Sequence, residues 1–120
     1  MTNEYEELPK LILKVVFYKT ANGREPVREW LKLLPKEIKK VIGDDIKTVQ
    51  QGWPIGMPLV RHMGNRLLEI RSTIPNGIAR VLFVVHDSTM FLLHGFIKKS
   101  PKTSAQDLEK GRKRAKELEG

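Results

Sequence analysis

Between Arg66 and Lys99 the chain reads RLLEIRSTIPNGIARVLFVVHDSTMFLLHGFIKK, three apolar runs with a few charges at regular places. Glu69 and Arg71 lie on the first run, Arg80 within the second, and Lys98 and Lys99 at the end of the third. A guanidinium stays charged and offers a planar fork of donors that matches two phosphate oxygens, while a lysine adds a point charge. A sheet that carries such cations on one part of its surface is prepared for an anion, and RNA is the anion this pattern favours. The competing reading is internal, with Glu69 neutralising Arg71 or Arg80 across neighbouring strands. Lys98 and Lys99 read either as phosphate contacts or as a solvated pair.

The histidines divide differently. His94 stands inside an apolar strand and reads as a hydrogen-bonded core histidine. His86 ends a strand beside a turn and reads as solvated. His62 falls in VRHMG, inside a segment from Gly52 to Asn65 that is rich in Gly and Pro, carries Arg61 and reads as a loop. No spacing of histidines and acids matches a zinc site, and neither a Gly-rich phosphate loop nor a serine nucleophile motif occurs. The expected chemistry therefore uses no metal and no cofactor.

The elements that must position these residues follow from periodicity. Leu11, Leu13, Val15 and Phe17 alternate on one side of a first strand, with Ile12 and Val16 making its second side apolar too. Pro26 suits a helix's first turn, and Val27, Trp30, Leu31 and Leu34 give that helix one apolar side. Pro35 ends it, and Ile38, Val41, Ile42, Ile46 and Val49 continue as the stripe of a second helix. The two should form a short hairpin lying on the sheet. In the next strand Leu68 and Ile70 share one face, while Leu67, Glu69 and Arg71 share the other. Pro75, Asn76 and Gly77 supply a hairpin turn. The runs IARVLFVVH and MFLLHGFIK are apolar on both faces, as central strands are. After Pro101 a last helix begins, with Ser104 and Asp107 in a capping-box arrangement. It has a thin seam of Ala105, Leu108, Ala115 and Leu118, and Gly111 in its middle costs roughly 1 kcal/mol against Ala. The fold class expected is α+β: a small, twisted, mainly antiparallel sheet of about four strands, a helical hairpin from the N-terminal half and a C-terminal helix.

The 120 residues suit one domain, 1–120, with residues 1–10 as a loose lead-in. The absence of cysteine excludes a disulfide frame and thiol chemistry. No run approaches the roughly 18 apolar residues of a spanning helix, and the acidic opening MTNEYEELPK does not fit a signal peptide. A cytoplasmic protein with no membrane association is expected. The formal charge of +8 favours a nucleic acid or an acidic partner. From Lys98 to Lys116 there are eight Lys or Arg against two acids, Asp107 and Glu109.

The order strand, helix, helix, three strands and helix, with the phrases LLEIRS, ARVLFV and LLHGFIKKSPKT ahead of a basic helix, resembles the RelE/HigB superfamily of toxins. The likeness is to its phage-derived HigB-like branch and covers nearly all of Leu11 to Leu118. The resemblance implies the toxin of a type II toxin–antitoxin pair, a ribosome-dependent mRNA endonuclease that inhibits translation. Such an enzyme cuts RNA without metal when a 2′-hydroxyl attacks the adjacent phosphate, which needs a base, an acid and positive charge on the phosphorane. Arg80 aligns with the family's functional arginine and Arg71 with the arginine that ends the preceding strand, and Lys98 and Lys99 stand where relatives place a basic residue. Arg71, Arg80 and Lys98 are thus the expected catalytic residues, and Arg61, His62, Lys99 and Lys102 the expected RNA contacts. One lysine among several cations could handle protons. The tyrosine or histidine that some relatives carry late in the site is missing here. Implied partners are mRNA, the ribosome and a cognate antitoxin of helix-turn-helix type, with DNA reached only through the antitoxin complex. Two other readings fit the same fold: a ParE-type gyrase inhibitor, and a non-catalytic protein that binds RNA or an acidic partner.

Overall fold

A computed structural model describes residues 12–119; the lead-in 1–10 and Leu11 lie outside the described residues. The elements run β1 (Lys14–Phe17), α1 (Pro26–Lys32), α2 (Lys36–Gly52), β2 (Val60–Gly64), β3 (Leu67–Ile74), β4 (Gly77–His86), β5 (Thr89–Lys98) and α3 (Ala105–Glu119). The class is α+β, and the sheet has five strands in the order β1-β5-β4-β3-β2. β1 pairs parallel to β5, and the other pairings are antiparallel.

The additional strand is β2, within the segment expected to be a loop. Its sequence VRHMG gives only Val60 as a fully buried residue, with Met63 half-buried against the other core, so it has almost no apolar alternation to announce it. Pairing with β3 makes it a strand: Val60 faces Ile70, Arg61 faces Glu69 and His62 faces Leu68. The β2–β3 connection is a two-residue turn in which Asn65 (φ 52°) and Arg66 (φ 68°) are both left-handed. Asp87 (φ 49°) and Ser88 (φ 58°) do the same between β4 and β5. Positive φ at both central residues matches the right-handed twist of a hairpin.

The sheet separates two cores. On one face Leu13, Val60, Leu68, Ile70, Val81, Phe83, Met90 and Leu92 pack with the apolar stripes of α1 and α2. The two helices do not pair closely as a hairpin. α1 lies on β5 and β1 and α2 on β3, each held by the sheet. Trp30 of α1 sits so close to Gly95 that a Cβ there would lie 2.3 Å from its ring, which accounts for a glycine inside β5. On the other face α3 covers Tyr18, Leu67, Leu82, Leu93 and Phe96 with Leu108 and Ala115. Gly111 is buried on the side of α3 that meets the sheet, where a Cβ would stand 2.6 Å from Leu82 Cδ1, so its helix penalty accompanies a close approach to the sheet. Ser104 opens α3 by accepting from the Asp107 N–H at 3.2 Å, and its hydroxyl donates to the Asp107 carboxylate at 2.6 Å. No helix among the described residues is long and apolar enough to cross a membrane.

Candidate functional site

Strand register decides which charged residues meet. Residues paired across a sheet point to the same side. Arg61 pairs with Glu69, Glu69 with Leu82, and Leu82 with His94, which makes one row. The next row is Arg71, Arg80 and Phe96, and the one after is Thr73, Ile78 and Lys98. All three rows lie on the α3 face, near the start of that helix. Arg61, Arg71, Arg80, His94 and Lys98, scattered over 38 positions of sequence, therefore share one part of one face.

At the centre of the group is a buried ionic network. Glu69 and Arg80 both have side chains that are 0% exposed. The Glu69 carboxylate accepts from Arg71 Nη1 at 3.0 Å and from Thr103 Oγ1 at 2.5 Å, and lies 3.8 Å from Arg80 Nη1. Arg80 Nη1 donates to Thr103 Oγ1 at 2.9 Å, its Nη2 donates to the Ser100 carbonyl, and its Nε has no hydrogen-bond partner. Burial pulls the Arg80 guanidinium below its ordinary pKa, against the opposing charge of Glu69. Two guanidinium groups face one carboxylate, so the network keeps one positive charge in excess.

This is the internal Arg–Glu pairing weighed from the sequence, and both arginines join it. Arg80 has no open fork for a phosphate. Instead it ties the Ser100–Thr103 loop, which carries Lys102, to the sheet. Arg71 is different. Its side chain is 15% exposed, and Nη1 also donates to the Pro101 carbonyl at 3.4 Å. Among the described residues no hydrogen bond engages its Nε or Nη2. Lys98 is 32% exposed, with Nζ 3.6 Å from Asp107 Oδ2. Arg61, Lys99 and Lys102 are exposed around this cluster. His62 is exposed too, but alternation along β2 turns it to the opposite face with Val60, away from Arg61. The strand thus separates the two RNA contacts expected from VRHMG.

The sequence reading assigned no role to the pair formed by His94 and Asp107. His94 Nε2 lies 2.8 Å from Asp107 Oδ1, and the imidazole stacks on Phe96 with ring centroids 5.2 Å apart. Burial holds His94 below the usual histidine pKa despite the neighbouring carboxylate. The ring is therefore neutral at pH 7 and donates through Nε2–H, which leaves the lone pair on Nδ1. Burial alone would raise Asp107, but bonds from Ser104 and His94 outweigh it and hold the carboxyl below its ordinary value. A signal was present in the sequence: His94, Phe96 and Lys98 share a parity on β5, so a core histidine there also faces the cations. The described residues contain no group of three or more His, Cys, Asp or Glu placed to hold a metal ion.

The arrangement can hold a phosphodiester by charge, on a face that also carries a neutral imidazole 2.8 Å from the carboxylate that orients it. A family model for phage-derived Gp49-like proteins matches residues 29–116. That match runs from α1 through most of α3 and includes every residue of the cluster. No curated protein matches the chain.

Proposed function

The chain belongs to the phage-derived Gp49-like family, a RelE-like family associated with toxin–antitoxin modules, and from that premise we propose that it is a toxin that cleaves translated mRNA. The observation that carries the reading is the register that puts Arg61, Arg71 and Lys98 on the same face as the His94–Asp107 pair, with Lys98 Nζ 3.6 Å from Asp107 Oδ2. RNA brings its own nucleophile, so the protein must supply charge and proton transfer. Arg71 and Arg61 bind the phosphate oxygens. His94 Nδ1 takes the proton of the 2′-hydroxyl, and Asp107 orients the ring as the third member of a triad does. The new bond joins O2′ to phosphorus, the bond from phosphorus to O5′ breaks, and Lys98 returns a proton to the leaving oxygen. The products are a 2′,3′-cyclic phosphate and a free 5′-hydroxyl. Arg80 contributes positive potential from below and holds the loop. An antitoxin is the partner expected to silence such a toxin.

One observation favours a second reading. The full burial of Arg80 removes one expected catalytic cation, which suits a protein that binds RNA without cutting it. Primer extension on a translated message, after induction of the wild-type chain, separates the two. Discrete cuts that disappear with Arg71→Ala and with His94→Gln support the nuclease. Growth arrest with an intact message removes it, and DNA-damage signalling in those cells points to gyrase.

A further inference from the structure

One carboxylate serves both groups that move protons in the proposed reaction. Asp107 Oδ1 lies 2.8 Å from His94 Nε2, and Oδ2 lies 3.6 Å from Lys98 Nζ. The last torsion of an aspartate is broad, so a free carboxylate would rotate and change both distances together. Ser104 opposes that rotation, because its hydroxyl donates to Oδ2 at 2.6 Å. Burial would raise the Asp107 pKa, and the bond from Ser104 is the strongest of the interactions that hold it down.

The ordinary role of such a serine is to cap a helix. Ser104 precedes Ala105, the first residue of α3, and its Oγ accepts the Asp107 N–H at 3.2 Å. Capping needs only that acceptor. In a capping box the carboxylate three residues on would also bond the Ser104 N–H. Among the described residues Asp107 makes no such bond, and its carboxylate turns to the sheet instead. The hydroxyl proton of Ser104 therefore does something that the cap does not require. Ser104 is also placed from a fixed point. Thr103 beside it is 8% exposed, donates to Glu69 at 2.5 Å and accepts from Arg80 at 2.9 Å. A side chain whose support is itself bonded and packed is preorganised.

We propose that Ser104 is a positioning residue, whose hydroxyl holds the Asp107 carboxylate in the one orientation that serves His94 and Lys98 together. Its effect on cleavage rests on the nuclease reading, whereas its effect on the imidazole does not. The buried Arg80 thereby acts on the site at one remove. It holds Thr103, Thr103 pins the start of α3, and Ser104 sets the carboxylate.

The test compares Ser104→Gly and Ser104→Thr in the full chain. Glycine caps a helix almost as well as serine but has no hydroxyl, and threonine keeps both functions. Thermal midpoints of all three proteins should be close. Long-range 1H–15N spectra of the His94 ring report its tautomer without RNA. Wild type should show Nε2 protonated, Ser104→Gly should shift toward the mixed tautomers of a free imidazole, and Ser104→Thr should restore the wild-type signals. In cleavage of translated mRNA, Ser104→Gly should lower kcat by about tenfold, part of the roughly 10²–10⁴-fold that a positioned acid or base supplies. KM should not change, because the phosphate-binding cations are untouched. Wild-type ring signals in Ser104→Gly, no restoration by threonine, or a wild-type kcat with the ring released overturns the proposal. If the wild-type chain cuts no RNA, the nuclease reading falls, and the ring signals alone decide whether Ser104 positions His94.

Discussion

Replacing Glu69 by Ala should be among the most damaging single changes in the chain. Glu69 is fully buried between Arg71 at 3.0 Å and Arg80 at 3.8 Å, with Thr103 donating at 2.5 Å. Without it Arg80 remains as a buried cation with no counter-charge. Breaking a buried pair from one side costs about 3–5 kcal/mol. With roughly 2.1 cal/mol/K of unfolding entropy per residue, a 120-residue chain changes by about 4 °C per kcal/mol, so the midpoint should fall by about 12–20 °C. Urea titration followed by circular dichroism gives the free energy, and a thermal melt gives the shift. The double variant Glu69→Leu with Arg80→Met supplies the control. Two apolar side chains of similar volume should restore most of the loss, because the cost lies in the uncompensated charge and not in the volume. A single-variant loss under about 1 kcal/mol would refute the buried network. A double variant less stable than the sum of its singles would refute the argument about uncompensated charge.

Three further outcomes are expected. Gly95→Ala should destabilise by about 1–3 kcal/mol, because its Cβ would enter the space of the Trp30 ring, and tryptophan fluorescence should shift as that ring is displaced. Stability should decline as pH falls below about 6.5, since the depressed folded pKa of His94 lets the unfolded chain bind a proton that the native chain does not. Above that pH the contribution is fully present; urea midpoints between pH 8 and 5 should show the decline, and His94→Gln should flatten it. Arg61→Ala should leave the melting temperature unchanged and weaken RNA binding evenly across sequences. The slope of log affinity against log salt should fall by about one, as filter binding over a salt series would record.

Local sequence was enough for the helices and for β3, β4 and β5. The apolar spacing is strong in α1, α2 and those strands and thin in α3, which its capping residues mark instead, and the stripe from Ile38 to Val49 and the parity of Leu67, Glu69 and Arg71 both appear in the packed molecule. It was not enough for β2. VRHMG has one fully buried residue, and only the exposed edge of β3 turns it into a strand. The same gap misplaced His62, because a residue read on a loop has no assigned face. Glycines 95 and 111 looked like local weaknesses. Each is explained by a neighbour far away in sequence, Trp30 for one and Leu82 for the other.

By itself the sequence determined the cations, their abundance and their presence on apolar strands, because charge and periodicity are local properties. Which of those cations meets solvent was decided by the tertiary structure. Arg71 and Arg80 are paired directly across β3 and β4, so sequence chemistry treats them alike. The Ser100–Thr103 loop and the start of α3 close over Arg80 and leave Arg71 at the margin. Burial depends on what the chain lays on top of a residue, and that is a contact made 20 or more positions away.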